Sequence, residues 1–375
     1  MAMALGAFAL VASEFMPVSL LTPIAADLHV SEGQAGQAIA ISGAFAMLTS
    51  LAIAPLAGGL DRKRLLLLLT LLMIASGTVV AFAPSYPVFM SGRALIGIAI
   101  GGFWSMSAAT AMRLVPQHEV PRALAILNGG NALATVIAAP AGSYLGALVG
   151  WRGAFFCVVP LAAIALAWKL LSLPALPAQP GTGDNGILRL LKRPSVALGM
   201  ASLSLFFMGQ FALYTYLRPF LESVTHVGVA ALSFMLLLVG VAGVAGTASI
   251  GAVLKRGLYR TLVLMPLAMA AIALALTAFG DSKIATGVLL LGWGLVATAA
   301  PVGWWTWLAQ NLPDDAEAGG GLMVAVIQLA IMLGATVGGL LFDTGGYRAT
   351  FTLSACLLLL SAVLALLAAR ARLNP

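Results

Sequence analysis

PVFMSGRALIGIAIGGFWSMSAATAMRLVP, residues 87–116, carries only two charges, Arg93 and Arg113. The uncharged run between them, 94–112, extends about 28 Å as a helix at 1.5 Å per residue, close to the ~30 Å hydrocarbon core of a bilayer. Arg93 therefore falls at or just inside one membrane face and Arg113 at the other. A charge at bilayer depth costs about 2.5–3.5 kcal/mol on insertion scales, so Arg93 should face a cavity or a partner rather than lipid. Gly92, Gly97, Gly101 and Gly102 strip side chain from this helix and let neighbours approach closely. The following Phe103-Trp104-Ser105-Met106-Ser107 places aromatic, hydroxyl and thioether groups at mid-membrane. If the chain has a binding cavity, this helix should line it, with Trp104 a candidate contact.

Working outward, the composition extends this reading to the whole chain. It is 61% hydrophobic and 8% charged, against roughly 25% charged for an ordinary soluble domain. Such a chain cannot cover a water-exposed surface, and it reads as an all-α integral membrane protein. Breaks at charges, prolines and polar clusters predict twelve transmembrane helices near 1–26, 34–58, 65–83, 87–112, 122–147, 152–172, 197–221, 229–254, 260–280, 284–311, 319–342 and 348–369. With the amino terminus inside, fourteen lysines and arginines fall on the cytoplasmic side, Lys169 among them, against Arg152, Arg218, Lys283 and Arg348 outside. The positive-inside rule then puts both termini in the cytoplasm. The net charge of +7 follows from that topology and gives no support for nucleic-acid binding.

Met1 opens directly into the first span, without the basic region of a signal peptide, and the expectation is a missing short cytoplasmic leader. Cys157 and Cys356 fall inside spans and read as buried small apolar residues, not as a disulfide or metal pair.

Glu14 is the only acid well inside a predicted span. An intramembrane carboxylate is either a structural group bonded to a neighbouring helix or a proton or substrate site, and the second reading is preferred here. Burial disfavours its charge, which suits a proton carrier. Pro17 and Pro23 interrupt the same helix and free backbone carbonyls, which protein or water must satisfy. Span five carries Gly129, Gly130, Ala139, Pro140, Gly142 and Gly146, a small-residue face with a proline kink that also suits plain close packing. Asn128 and Asn131 share a face there and suit a neutral, hydrogen-bonding solute. Gln210, Tyr214 and Arg218 are spaced to share a face of span seven. In span ten, Trp304, Trp305 and Trp307 read either as an interfacial belt or, for Trp304, as a cavity wall. Gln328 is a mid-membrane amide. Asp61 caps or pairs near a helix end beside the basic run Arg62-Lys63-Arg64.

The one long polar segment, 173–196, reads as a cytoplasmic linker between six-helix bundles at 1–172 and 197–375. Gly150-Trp151-Arg152-Gly153-Ala154-Phe155 recurs as Gly346-Tyr347-Arg348-Ala349-Thr350-Phe351. This repeat predicts two pseudo-symmetric bundles related about the membrane normal, with the substrate site expected between them near the midplane. The three histidines fall in loops, and no nucleotide loop or metal-ligand spacing is present. The chain reads as neither an enzyme nor a cofactor protein, driven by an ion or solute gradient.

These features resemble the major facilitator superfamily, in particular its twelve-span drug:proton antiporter group. Asp61-Arg62-Lys63-Arg64 is similar to that family's loop motif in shortened form, which implies a gating role for Asp61 and Arg62. Arg93 with Gly97 and Gly101 resembles the fourth-span motif, whose arginine is associated with proton transfer. Gly130, Pro140 and Gly142 resemble the fifth-span antiporter motif, with Ala139 in place of its glycine, and imply gating in an exporter. Glu14-Phe15-Met16-Pro17-Val18, Gly102-Phe103-Trp104-Ser105, Met112-Arg113-Leu114-Val115-Pro116 and Ala300-Pro301-Val302-Gly303-Trp304 are similar to the purine ribonucleoside exporters of that family. The resemblance implies proton-coupled efflux of inosine- or guanosine-type nucleosides across a bacterial inner membrane by a monomer. Glu14 would bind the exchanged proton and Arg93 would favour its ionised form. Proton-coupled export of drugs or sugars, a passive facilitator and a non-transporting scaffold are the alternatives.

Overall fold

A computed structural model describes residues 1–56, 59–177, 190–312 and 316–373. The expected surface helix near 187–191, Arg189, the middle of the linker and the acidic pair Asp314-Asp315 lie wholly or partly outside them. The regular elements among the described residues are all helices, without a strand. In chain order the helices are α1 (Ala2–Leu28), α2 (Glu32–Leu56), α3 (Arg62–Ala81), α4 (Tyr86–Arg113), α5 (Val120–Phe156), α6 (Val158–Ser172) and α7 (Pro194–Thr215). They continue as α8 (Leu217–Ser223), α9 (Val229–Leu254), α10 (Leu258–Phe279), α11 (Lys283–Ala297), α12 (Ala300–Asn311) and α13 (Ala316–Leu373). Ten described helical stretches are long and apolar enough to cross a membrane, and two of them, Arg122–Ser172 and Gly319–Ala371, run to double length. That is consistent with the twelve predicted crossings.

Breaks within expected spans follow from proline chemistry. Pro219 has no N–H for the carbonyl of Thr215, and α7 stops at Thr215. Pro301 likewise deprives Ala297, and α11 stops at Ala297. The predicted single face of Gln210, Tyr214 and Arg218 is therefore divided, because Arg218 lies on α8 beyond the break at Tyr216. Arg218 is also not an external anchor. It is buried and paired with Glu222 at 2.8 Å, one turn on.

Glycine makes the two tight reversals. Gly150 (φ 75°) breaks the helical path inside α5, and Gly346 (φ 67°) does the same inside α13. Both sit in left-handed backbone that a side chain resists. The repeat extends to the neighbours. Arg152 stacks over Trp151 at 4.2 Å and Arg348 over Tyr347 at 5.8 Å. Trp151 meets Phe155 edge-on, as Tyr347 meets Phe351.

The chain divides into two compact units, Met1–Val30 with Ile41–Gly183, and Ser31–Ala40 with Asp184–Pro375. In the first, α5 packs along α1, and α6 against α1 and α3. Arg152 pairs with Asp27 and caps the Ala83 carbonyl, joining α5, α1 and the end of α3. In the second, α7 packs along α13. Asp343 caps the first turn of α2 there, accepting from Ser31 Oγ (2.6 Å) and Gly33 N (2.9 Å). Large apolar side chains such as Leu68, Ile164, Phe234 and Ile284 are exposed, as expected where the solvent is lipid. Cys157 and Cys356 are exposed too, contrary to the buried positions expected for them. A thiol is apolar enough to face hydrocarbon.

Candidate functional site

The site in the first unit begins with a missing hydrogen. Pro17 lies inside α1 and cannot donate to the carbonyl four residues before it, Ser13. That orphaned oxygen is taken by Arg93 of α4, whose guanidinium donates through NH1 to Ser13 O at 2.7 Å. Through NH2 it donates to Glu14 O at 3.0 Å and to Ser42 Oγ of α2 at 3.3 Å. Arg93 is 0% exposed and Glu14 6%. The Glu14 carboxylate is within electrostatic reach of the guanidinium, and the Phe155 ring lies 6.0 Å away. Arg93 thus ties α4 directly to α1 at Ser13 and Glu14.

The glycines of α4 bring α2 into range. A β-carbon at Gly97 would collide with Ser42 O, and one at Gly101 with Ala46 O. Ser42 is the functional neighbour that sequence reading missed. Its only signal is a hydroxyl beside Gly43 in an apolar span. On the other side of α1, Gly130 has no room for a side chain against Ala4 O, nor Gly142 against Ser19 Oγ. The small-residue face of α5, with Pro140 inside the helix, is thus the α1–α5 seam. Asp61 caps α3, accepting from Arg64 N at 3.2 Å, and its second oxygen accepts from Leu176 N at 2.7 Å. Arg62 N donates to Leu176 O.

The substrate candidates divide by unit. In the first, Trp104 is partly exposed and meets Phe103 edge-on at 5.5 Å. Asn128 is exposed, its amide donating to Leu124 O of its own helix, while Asn131 is half-buried. In the second, Gln210 and the 6%-exposed Gln328 each hold a side-chain oxygen without a partner. Tyr214 packs against Phe211. Trp304 is only 1% exposed, meets Trp307 edge-on and leaves its indole N–H unpartnered, whereas Trp305 faces outward. The three tryptophans are thus not one belt. Within the first unit a cavity of about 520 Å³, lined by Arg113, Glu119, Arg122, Leu127 and Pro174 among others, contains none of these candidates.

Chemically, the buried cluster sets one carboxyl, Glu14, beside a guanidinium held by the Ser13 and Glu14 carbonyls and by Ser42 Oγ.

Residues 3–320 match the sequence model of the Major Facilitator Superfamily. The chain belongs to that family. Among curated members, it is 62% identical to the Pseudomonas aeruginosa protein named transcription regulatory protein OpdE, over 99% of this chain and 94% of that one. It is 44% identical to the Escherichia coli purine ribonucleoside efflux pump NepI, over 95% and 90% respectively. Among solved superfamily folds, the inward-facing, occupied bacterial homologue of the human lysosomal transporter Spinster aligns over 100% of this chain and 96% of that one. The TM-score is 0.79 at 15% identity. Membership makes this a multi-pass membrane transporter rather than an enzyme.

Proposed function

We propose that this chain exports purine ribonucleosides of the inosine or guanosine type across the bacterial inner membrane, by alternating access, in exchange for protons. The observation that carries the reading is the buried Glu14 beside Arg93, which is anchored on the Ser13 and Glu14 carbonyls. A membrane interior keeps an acid at such cost only for a role, and proton exchange is the role its chemistry fits. The substrate class is supported by the Escherichia coli and Salmonella relatives, all named as purine ribonucleoside efflux pumps. The orphaned oxygens of Gln210 and Gln328 suit a neutral solute rich in N–H and O–H donors. Trp104, Tyr214, Asn128, Asn131 and Trp304 are the remaining proposed contacts. Asp61, Arg62, Gly130, Pro140 and Gly142 are proposed to serve gating. The protein is taken to act as a monomer with both ends in the cytoplasm, and no cofactor is required.

In proteoliposomes, inosine should drive proton movement in wild type and none in Glu14→Gln, which still inserts. Equal flux in both variants, without proton movement, would establish a passive facilitator. A response only to other solutes would keep antiport and discard the nucleoside.

A further inference from the structure

Lys169 was counted above among the cytoplasmic anchors, but it is 1% exposed. Its side chain runs into the first unit, where the absent side chain of Gly6 on α1 makes room for the ammonium. Nζ donates to Thr70 Oγ1 of α3 at 2.8 Å, and the Phe103 ring of α4 lies 5.3 Å away. The Thr70 hydroxyl gives its own proton to Leu66 O, so only lone pairs face the lysine. A lone pair and a ring face are both acceptors, an environment for a cation. Among the described residues no carboxylate pairs with it.

We propose that Lys169 is a positioning residue for proton exchange: a buried basic group whose charge sets the pH range over which Glu14 takes up its proton. This rests on the reading of Glu14 given above. Gly6, Leu10 and Glu14 succeed one another at turns of α1, and Leu10 lines the small void beside Lys169. Helix rise places Glu14 about 12 Å from the ammonium. The other charges on the packed helices are all cationic near Glu14 or remote from it. Besides Glu14, α1 carries Asp27 at its far end, paired with Arg152. On α3 the charges are Arg62, Lys63 and Arg64 in the first turn, and on α4 they are Arg93 and Arg113. α2 carries Glu32 in its first turn, α5 offers Arg122 and Arg152, and α6 only Lys169. Of these, Arg93 and Lys169 are buried on either side of Glu14 along α1. Both favour its ionised form, but only Lys169 can be removed without orphaning the Ser13 carbonyl.

The test is titration of the Glu14 carboxylic acid stretch by infrared spectroscopy, assigned as the band lost in Glu14→Gln. A unit charge at that distance, with effective dielectric between protein and water, moves a titration by about 0.3–1 pH unit. Lys169→Met, which keeps length and packing, should move the midpoint upward by that amount, while Lys169→Arg stays near wild type. Thr70→Val, which keeps shape but removes the lone pair, should move it the same way by less. An unmoved midpoint in Lys169→Met overturns the proposal, as does an unmoved Thr70→Val if the methionine variant does not fold. Reduced flux without a shift assigns Lys169 a packing role only and overturns it too. Because the band needs no substrate, failure here is separate from failure of nucleoside-driven proton flux.

Discussion

Arg93 and Pro17 should be energetically coupled, although neither side chain is obliged to touch the other. The coupling runs through one atom, the Ser13 carbonyl oxygen. With proline at 17 and arginine at 93, Arg93 NH1 satisfies it at 2.7 Å. Replacing Arg93 by methionine leaves that oxygen orphaned in the membrane interior, at a cost of about 1–3 kcal/mol for the unsatisfied group. The same change also removes the bonds to Glu14 O and Ser42 Oγ. Replacing Pro17 by alanine instead supplies an amide four residues on, and the ordinary helical bond to Ser13 O can form. In the double variant the orphan penalty disappears while the other losses remain. The double variant should therefore be about 1–2 kcal/mol more stable than the sum of the single changes predicts, a five- to thirty-fold difference in the folded ratio.

The assay is a double-mutant cycle on SDS-driven unfolding in mixed micelles, followed by tryptophan fluorescence. Pro23→Ala provides the control. Pro23 withholds its N–H from Ser19 O, on the turn beyond the Arg93 cluster, and its cycle with Arg93→Met should be additive within about 0.5 kcal/mol. Additivity within the same margin for Pro17 would refute the idea that the proline is there to present a carbonyl to Arg93. Coupling in both cycles would show a general softening of α1.

Gly101→Ala should destabilise by about 1–3 kcal/mol in the same unfolding assay, because its β-carbon meets the Ala46 backbone, which cannot step aside. Gly129→Ala, with nothing within 4 Å, should be neutral or stabilising by up to about 1 kcal/mol. Gly150→Ala and Gly346→Ala should each cost about 1–2 kcal/mol, since both enforce a left-handed conformation on alanine with open space around it. Unequal costs at these two repeat-related positions, measured by melting temperature, would show that the reversals are not equivalent.

Much of this was legible in the sequence, for reasons visible in single residues. Hydropathy placed the spans because a bilayer imposes one length on all of them. The repeated Gly-aromatic-Arg motif pointed to two related bundles, and its glycines form the kinks in α5 and α13 because only glycine accommodates that backbone. Arg93 announced its need for a partner, and Pro17 announced a free carbonyl, yet pairing the two required the crossing of α1 and α4. Glycine rows permit close approach without naming the neighbour, so Ser42 could not be found. Lys169 reads as an anchor because a lysine three residues before a span end ordinarily snorkels to water. Only the fold reveals the gap at Gly6 that holds it. The break between α7 and α8 follows from the sequence as well: Pro219 dictates it through Thr215, as Pro301 dictates the end of α11 through Ala297.

The two units share a repeat, and each buries neutral polar groups without a partner, Trp151 Nε1 and Ser143 Oγ among them in the first. Buried ionisable groups without surface access, Glu14, Arg93 and Lys169, belong to the first. The second holds neutral groups with unspent capacity, the oxygens of Gln210 and Gln328 and the indole N–H groups of Trp304 and Trp307. Its buried arginine, Arg218, is paired to Glu222 one turn away. A proton carrier needs fixed charges nearby to set its affinity, and those charges are costly to desolvate anywhere else. An uncharged solute needs amides and rings whose hydrogen bonds are free to be exchanged. If Glu14 exchanges the proton as proposed, substitutions at Gln210 and Gln328 should alter solute contact without touching that exchange, whereas Trp104, Asn128 and Asn131 share a unit with Glu14.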